Sequence, residues 1–193
     1  MTRFTLALLL FATASVPAAP VPKAIKKADP FPYAVGTRWE YVRNEDEKVV
    51  WAEEVTEAKE ADGGQTVRID ITTHTGAKRF ETYHLKGGEL RLTASQNGTY
   101  EPGMLIRRAD MKDGDTWENR YSLNGAESVV DCSVGKAEEL TTPAGKFTAH
   151  PITRKYASGL ETTYWYGDGV GLVRQTTNGR KTQELKAFTP GKK

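Results

Sequence analysis

The sequence predicts an all-β protein: an antiparallel meander of about 8–11 strands, curled into a half-barrel, a barrel or a sandwich. No convincing helical period occurs between Gly36 and Phe188, whereas apolar and polar residues alternate in segments such as residues 66–71 and 130–134. Asn-Gly pairs at positions 97–98, 124–125 and 178–179 indicate hairpins, because both residues tolerate the positive φ of a type I′ turn. The glutamate- and alanine-rich residues 51–59 could form a short helix, but their neighbours favour a strand.

Composition narrows the functional classes. The chain has 193 residues and a formal net charge of +2, which fits one domain or two small halves and argues against a dedicated nucleic-acid binder. Cys132 is the only cysteine, so an internal disulfide framework and a multi-cysteine metal site are both excluded. Three histidines leave few ways to build a zinc site, and we expect neither a metal nor another cofactor.

The N-terminus predicts export. Residues 1–18 have one positive charge, a short apolar run and small residues at the end, as in a secretory signal peptide. Residues 19–32 form a proline- and lysine-rich leader, residues 33–189 a single β domain and residues 190–193 a tail. We expect a secreted or periplasmic protein without a transmembrane segment. No cysteine lies near the cleavage site, so no lipid anchor is expected.

The β domain reads as an internal duplication with halves at residues 33–110 and 111–189. At an offset of 81 residues, Ile71 falls on Ile152 and Tyr83 falls on Tyr164. A turn at Asn124-Gly125 would place Trp117 opposite Cys132, and a turn at Glu45-Asp46 would place Trp39 opposite Ala52. Each pairs an aromatic residue with a small one, as facing positions in a core layer do.

Three motifs occur in order along the chain: Gly36-x-x-Trp39-x-Tyr41, Pro143-Ala144-Gly145-x-Phe147, and the run from Tyr164 to Val173, Tyr-Trp-Tyr-Gly-Asp-Gly-Val-Gly-Leu-Val. In this order they resemble a diffuse group of bacterial exported proteins and lipoproteins, all-β and mostly of unknown function. The resemblance implies an envelope β-sheet protein, with a curled half-barrel like that of periplasmic lipoprotein carriers as one arrangement. It implies no catalytic residues. Many such proteins are lipid-anchored, whereas this chain lacks the cysteine.

Catalytic candidates are weak. A two-residue turn at Thr75-Gly76 and a longer turn at residues 76–79 predict the same facing of β-strand residues. Both place His84, Phe80 and Thr82 on the apolar face of Val67, with His74 on the opposite face. Arg68, Asp70, Arg79 and Glu81 then form an exposed charged group, the ordinary arrangement of a solvated sheet face. The histidines should therefore not converge on a metal, and inward positions should be apolar or aromatic. Cys132 alternates with Val130 and Val134, which predicts a buried, unreactive thiol.

The aromatic residues are the remaining signal for a ligand. Tyr164, Trp165 and Tyr166 must present rings on both faces of their strand, and with His84 they are the weak candidates for a binding site. The first hypothesis is a non-enzymatic exported envelope protein that acts as a binding or structural module, with an apolar ligand, a glycan or an envelope protein as its possible partners. The alternative is a hydrolase acting on an envelope polymer. An apolar groove without ionisable groups would favour the first, and a deep cleft with two inward carboxylates would favour the second.

Overall fold

A computed structural model describes residues 31–192, and in that range it contains thirteen β-strands and no helix. No helix there is long and apolar enough to span a membrane. In chain order the strands are β1 (Arg38–Arg43), β2 (Asp46–Ala61), β3 (Gly64–Thr72), β4 (Lys78–Lys86), β5 (Glu89–Ser95), β6 (Gly98–Arg108), β7 (Thr116–Leu123), β8 (Ala126–Val134), β9 (Glu138–Thr142), β10 (Gly145–Tyr156), β11 (Glu161–Gly167), β12 (Gly171–Thr177) and β13 (Arg180–Thr189).

The strands form one antiparallel sheet that closes on itself. Neighbours in sequence pair from β1 to β8, then β8 pairs with β10, and β10 through β13 continue back to β1. Twelve strands therefore make a barrel, while β9 pairs only with the first half of β10. Closure leaves few free edges, which removes the usual hazard of edge-to-edge association. The predicted all-β meander is confirmed, in its barrel form and with more strands than expected.

Turn chemistry explains most of the hairpins. Asn124 and Gly125 both have positive φ, as the type I′ prediction requires, and the same holds for Asn178 and Gly179. The third pair differs, because Ser95 pairs with Gly98 and the turn lies one residue earlier. The Asn124 side chain fills the space beside Gly98 and accepts a hydrogen bond from Thr99 N at 3.3 Å.

Residues 51–59 lie within β2, so the strand prediction for them is confirmed and the competing helix is wrong. The predicted pairing of Trp117 with Cys132 is also confirmed. The predicted pairing of Trp39 with Ala52 is wrong, because Trp39 lies opposite Glu53. The turn there uses Asn44 and Glu45, both with positive φ, and a register shift follows at Val42/Arg43.

Residues at both ends of the described chain pack onto the barrel. Phe31, which the sequence prediction assigned to the leader, is buried against the core, and Tyr33 stacks on Tyr83 with ring centroids 6.0 Å apart. Gly191 N donates to Thr37 Oγ1 at 2.9 Å, so the predicted tail is attached at this point. The predicted signal peptide, residues 1–18, and residues 19–30 of the predicted leader lie outside the described residues.

The β9–β10 hairpin ends the sheet with β9 and contacts β12 and β13. Its turn is the Pro-Ala-Gly step of the second motif, where Ala144 N lies 3.4 Å from Leu185 O of β13. Arg174 Nη2 of β12 donates to Thr141 O at 3.1 Å. Leu140 and Leu185 belong to one buried cluster, so the second motif covers part of the barrel wall.

Candidate functional site

The barrel encloses a cavity of about 310 Å³. This volume lies at the lower end of the range for small-molecule sites, roughly 300–1,000 Å³. Aromatic and polar side chains from strands all around the barrel converge on it. Its lining includes Tyr33, Trp39, Tyr41, Glu53, Glu81, Tyr83, Leu92, Tyr100, Met104, Tyr121, Arg154, Tyr156, Tyr164, Tyr166, Gln175 and Gln183.

Glu53 is an inward residue that the sequence analysis missed. It lies opposite Trp39, and directly paired residues of an antiparallel ladder share a face. The expected pairing of Trp39 with Ala52 would have placed Glu53 outside. Moving the turn to Asn44-Glu45 shifts the pairing by two residues and keeps the faces of the strand, but the three-residue register shift between Val42 and Arg43 reverses them and brings Glu53 into the cavity.

Glu81 is the second inward carboxylate, and the predicted facing of β4 is wrong. Ile69 pairs with Glu81 and Val67 with Tyr83, whereas His84 pairs with Thr66 on the outer face.

The loop that connects β3 to β4 explains this facing. It has five residues, between Thr72 and Lys78, whereas both predicted turns have an even number of residues, so the inward and outward positions of β4 are exchanged. Phe80 and Thr82 accordingly lie outside with Arg68 and Asp70, while Arg79 shares the inward face with Glu81.

The two carboxyl groups interact inside the barrel. Burial raises the pKa of Glu53 to about 8, and the negative charge of Glu81 adds to this rise, against the opposing effects of Arg43 and Gln183. Gln183 Nε2 donates to Glu53 Oε1 at 3.3 Å. Burial also raises the pKa of Glu81, although a hydrogen bond from the Tyr83 hydroxyl and the charge of Arg154 lower it. At neutral pH the pair therefore retains a proton, since two adjacent buried carboxylates disfavour full ionisation.

Arg154 supplies a buried positive charge on the cavity wall. The residue is 3% exposed, and its guanidinium carbon lies 4.4 Å from the centre of the Tyr164 ring. Its side chain also hydrogen-bonds to Tyr156. Nε and Nη2 have no hydrogen-bond partner within residues 31–192. Unpaired buried donors are costly, so a ligand oxygen that paired with these two atoms would relieve that cost.

Of the four candidate binding residues, the structure brings two to the cavity. Tyr164 and Tyr166 line it and stack with centroids 6.4 Å apart. Trp165 points to the other face of β11, where it pairs with Arg174 and its indole donates to Glu138. His84 lies on the outer face of β4, where its Nδ1 is 3.4 Å from Thr66 Oγ1.

The histidines remain apart from one another. His74 is exposed in the loop after β3, and His150 of β10 pairs with Tyr166, 3.6 Å from Asp113. No group of three or more histidine, cysteine, aspartate and glutamate residues that could hold a metal ion occurs in the described part of the chain. The cavity chemistry is therefore that of carboxyl, guanidinium, amide and phenol groups.

A sequence signal for the missed charges exists. Glu53 lies between Trp51 and Val55 at a spacing of two residues, in the parity of the apolar face. The patterns Glu81-x-Tyr83-x-Leu85 and Ile152-x-Arg154-x-Tyr156 repeat this arrangement. A charged residue at an apolar strand position indicates an inward charge.

Comparison with known proteins identifies the fold. A candidate lipoprotein of Parabacteroides distasonis ATCC 8503 superposes with a TM-score of 0.51 and 19% identity, covering 86% of this chain and all 100% of its own. A candidate exported protein of Bacteroides fragilis NCTC 9343, with a YmcC-like fold, gives a TM-score of 0.51 and 17% identity over 84% of this chain and 99% of its own. At this identity the likeness shows the fold alone. No protein-family model and no curated protein sequence matches the chain.

Proposed function

We propose that this chain is an exported, non-enzymatic binding protein that holds one small ligand inside its barrel. The observation that carries the proposal is the convergence of Arg154, Glu53 and Glu81 on one cavity. Charged groups inside a barrel cost stability, and a well-packed apolar core would avoid that cost. Convergent buried ionisable groups in a cavity of ligand size are typical of a functional site.

Export is part of this proposal and is supported by two observations. Residues 1–18 have the pattern of a signal peptide, and the two structural neighbours are described as a lipoprotein and an exported protein. A barrel with an internal site suits a compartment where small molecules must be held or carried.

The cavity lining also narrows the class of ligand that sequence reasoning left open. Tyrosine rings offer flat apolar surfaces, while their hydroxyls and Gln183 offer hydrogen bonds. A purely apolar ligand would leave the interior charges unpaired. The lining therefore favours a polar ligand with a flat or ring-shaped body over a fatty chain.

The proposal can be tested by nuclear magnetic resonance of the tryptophan indole N–H groups. Trp39 lines the cavity, whereas Trp165 lies on the outer face and serves as the internal reference. D-glucose, D-glucuronate, D-glucose 6-phosphate and decanoate are the probes. We expect at least one polar probe to shift the Trp39 signal and not the Trp165 signal. If no probe shifts Trp39 selectively, the proposed function is wrong.

A cavity-filling variant controls for binding elsewhere. Gln175→Trp introduces a large side chain at the cavity wall, and Val129→Trp introduces the same group at an exposed position that is 41% accessible. Binding should weaken in Gln175→Trp and persist in Val129→Trp. Equal binding by both variants would place the ligand outside the barrel.

A hydrolase is the second candidate, favoured by Glu53 and Glu81 as two inward carboxyl groups. A raised pKa on one of them suits a general acid beside a carboxylate base. A cavity of about 310 Å³ inside a closed wall could admit only the end of a polymer. The test is hydrolysis of p-nitrophenyl glycosides by the wild type and Glu53→Gln. Turnover that Glu53→Gln abolishes would replace binding with catalysis as the function.

A further inference from the structure

We infer that the ligand is a small hydroxylated acid, of sugar size, whose carboxylate or phosphate group binds the free edge of Arg154. The inference rests on the proposed binding function and adds the chemical class of the ligand.

The inference depends on two unpaired nitrogen atoms of Arg154. Nε and Nη2 form one side of the planar guanidinium group, and their N–H bonds point in parallel. Neither has a hydrogen-bond partner within residues 31–192. Two parallel donors match two oxygens of one carboxylate or phosphate group, which is the strongest pairing available to arginine. A neutral hydroxyl would satisfy only one of them.

Neighbouring groups hold this edge in place without occupying it. The Tyr164 ring lies against the guanidinium plane, with 4.4 Å between the guanidinium carbon and the ring centre. Glu81 attracts Arg154 electrostatically, but the Glu81 carboxyl group accepts a hydrogen bond from the Tyr83 hydroxyl and not from Arg154. The wall therefore presents a positively charged, oriented donor pair before any ligand arrives, which reduces the entropy cost of binding.

The rest of the cavity fits hydroxyl groups. The phenols of Tyr156 and Tyr166, whose pKa values burial raises to about 12, stay neutral, so they can both donate and accept hydrogen bonds. A protonated Glu53 carboxyl and the Gln183 amide have the same dual capacity. Groups that donate and accept suit the hydroxyls of a polyol, since each hydroxyl also does both.

The positive charge of Arg154 disfavours a cationic ligand. A cationic ligand would have to approach Arg154, whose charge is permanent and whose side chain is 3% exposed. Retention of a proton by the Glu53 and Glu81 pair also reduces the negative charge that an anion would meet. The cavity thus balances its own positive charge best when it holds an acid.

The experiment compares D-glucose, D-glucuronate and D-glucose 6-phosphate, with the Trp39 indole signal as the readout. The carboxylate and phosphate probes distinguish the two sources of oxyanion. We expect one of the two acids to bind about tenfold or more tightly than glucose, the ratio that a charged hydrogen-bond pair supports. Equal affinity for glucose and both acids would overturn the inference while leaving the binding function intact.

Variants of Arg154 complete the test. Arg154→Met removes the charge at similar length and should abolish the preference for the acid, whereas Arg154→Lys keeps the charge but not the paired donors and should retain only part of it. Arg120→Met removes an arginine from an exposed ion pair with Glu118 and should leave binding unchanged. Unchanged indole positions in the ligand-free variants show that the barrel is intact. An acid preference that survives Arg154→Met in an intact barrel would also overturn the inference.

Discussion

The indole nitrogen of Trp39 donates a hydrogen bond to the carbonyl oxygen of Val170, with 2.6 Å between the two atoms. Tyr41 follows Trp39 by two residues in β1, and its hydroxyl donates a hydrogen bond to Leu172 O at 3.1 Å. The first sequence motif is thus bound directly to the third across 131 residues of chain. These bonds attach β1 to the turn between β11 and β12 and to the beginning of β12.

Trp39→Phe should destabilise the barrel by about 1–3 kcal/mol, because it leaves the buried Val170 carbonyl without its donor. Urea unfolding followed by circular dichroism measures the effect. Trp165→Phe is the matched control, since its indole bond to Glu138 lies at the surface and its loss should cost within about 0.5 kcal/mol. Equal losses in the two variants would contradict the structural role of the Trp39 bond.

Glu53 should make the folded state less stable as pH rises. The pKa of Glu53 is raised to about 8, above its ordinary value of 4.5, so between these pH values the folded chain keeps a proton that the unfolded chain has released. The stabilising effect of that proton is complete below the unfolded pKa and is lost as pH rises through the folded pKa, at up to about 1.4 kcal/mol per pH unit.

Glu53→Gln removes this titration and should therefore be more stable than the wild type at pH 9 by a larger margin than at pH 5. Chemical unfolding at several pH values measures the difference. Glu54→Gln, which changes an exposed carboxylate in the neighbouring position, is the control and should follow the wild-type profile. Parallel profiles for Glu53→Gln and the wild type would refute the buried, protonated state.

Cys132 should resist thiol reagents in the native protein. It is 3% exposed and lies opposite Trp117, and burial raises the pKa of its thiol. Labelling should be slow in buffer and rapid in urea. Cys132→Ala should cost about 1–2 kcal/mol through lost contacts and a small cavity. Rapid native labelling would show that the thiol is accessible.

Neither half of the predicted duplication should fold alone. With the offset of 81 residues, β3 (Gly64–Thr72) corresponds to residues 145–153 of β10. With the same offset, β6 (Gly98–Arg108) corresponds to residues 179–189, which include β13. A fragment of residues 33–110 would have two open edges and an uncovered inner face, so we expect it to be unfolded or aggregated. A cooperative unfolding transition from this fragment, measured by circular dichroism, would contradict the shared core.

The proposed export predicts a mature chain that begins near Ala19 and carries no lipid. The apolar run of residues 4–16 and the small residues that follow it predict cleavage after Ala18, and no cysteine is placed to receive an acyl chain. Intact-mass spectrometry of protein recovered from the medium or periplasm gives the answer. Retention of Met1 or an added acyl mass would show that the prediction is wrong.

Fold class was predictable from the sequence because alternation and Asn-Gly turns are local signals, and Trp117 does lie opposite Cys132 as its turn requires. Barrel closure was not, since the contact between β1 and β13 depends on the whole sheet. The site was missed for a more specific reason. Glu53 and Glu81 change faces with a single residue of register, and residue types alone determine neither the register shift between Val42 and Arg43 nor the length of the loop before β4.

The pairing of Trp39 with Phe188 has a consequence for how the barrel forms. β1 is synthesised first among the described strands, but it can pair with β13 only after β13 has been made. The sequence separation of this pairing is therefore close to the maximum that the chain allows. Local hairpins can assemble early, but the ring cannot lock until β13 arrives. A chain that stops before Arg180 therefore leaves β1 and β12 with unpaired edges, exposed to proteases and to other unfinished chains.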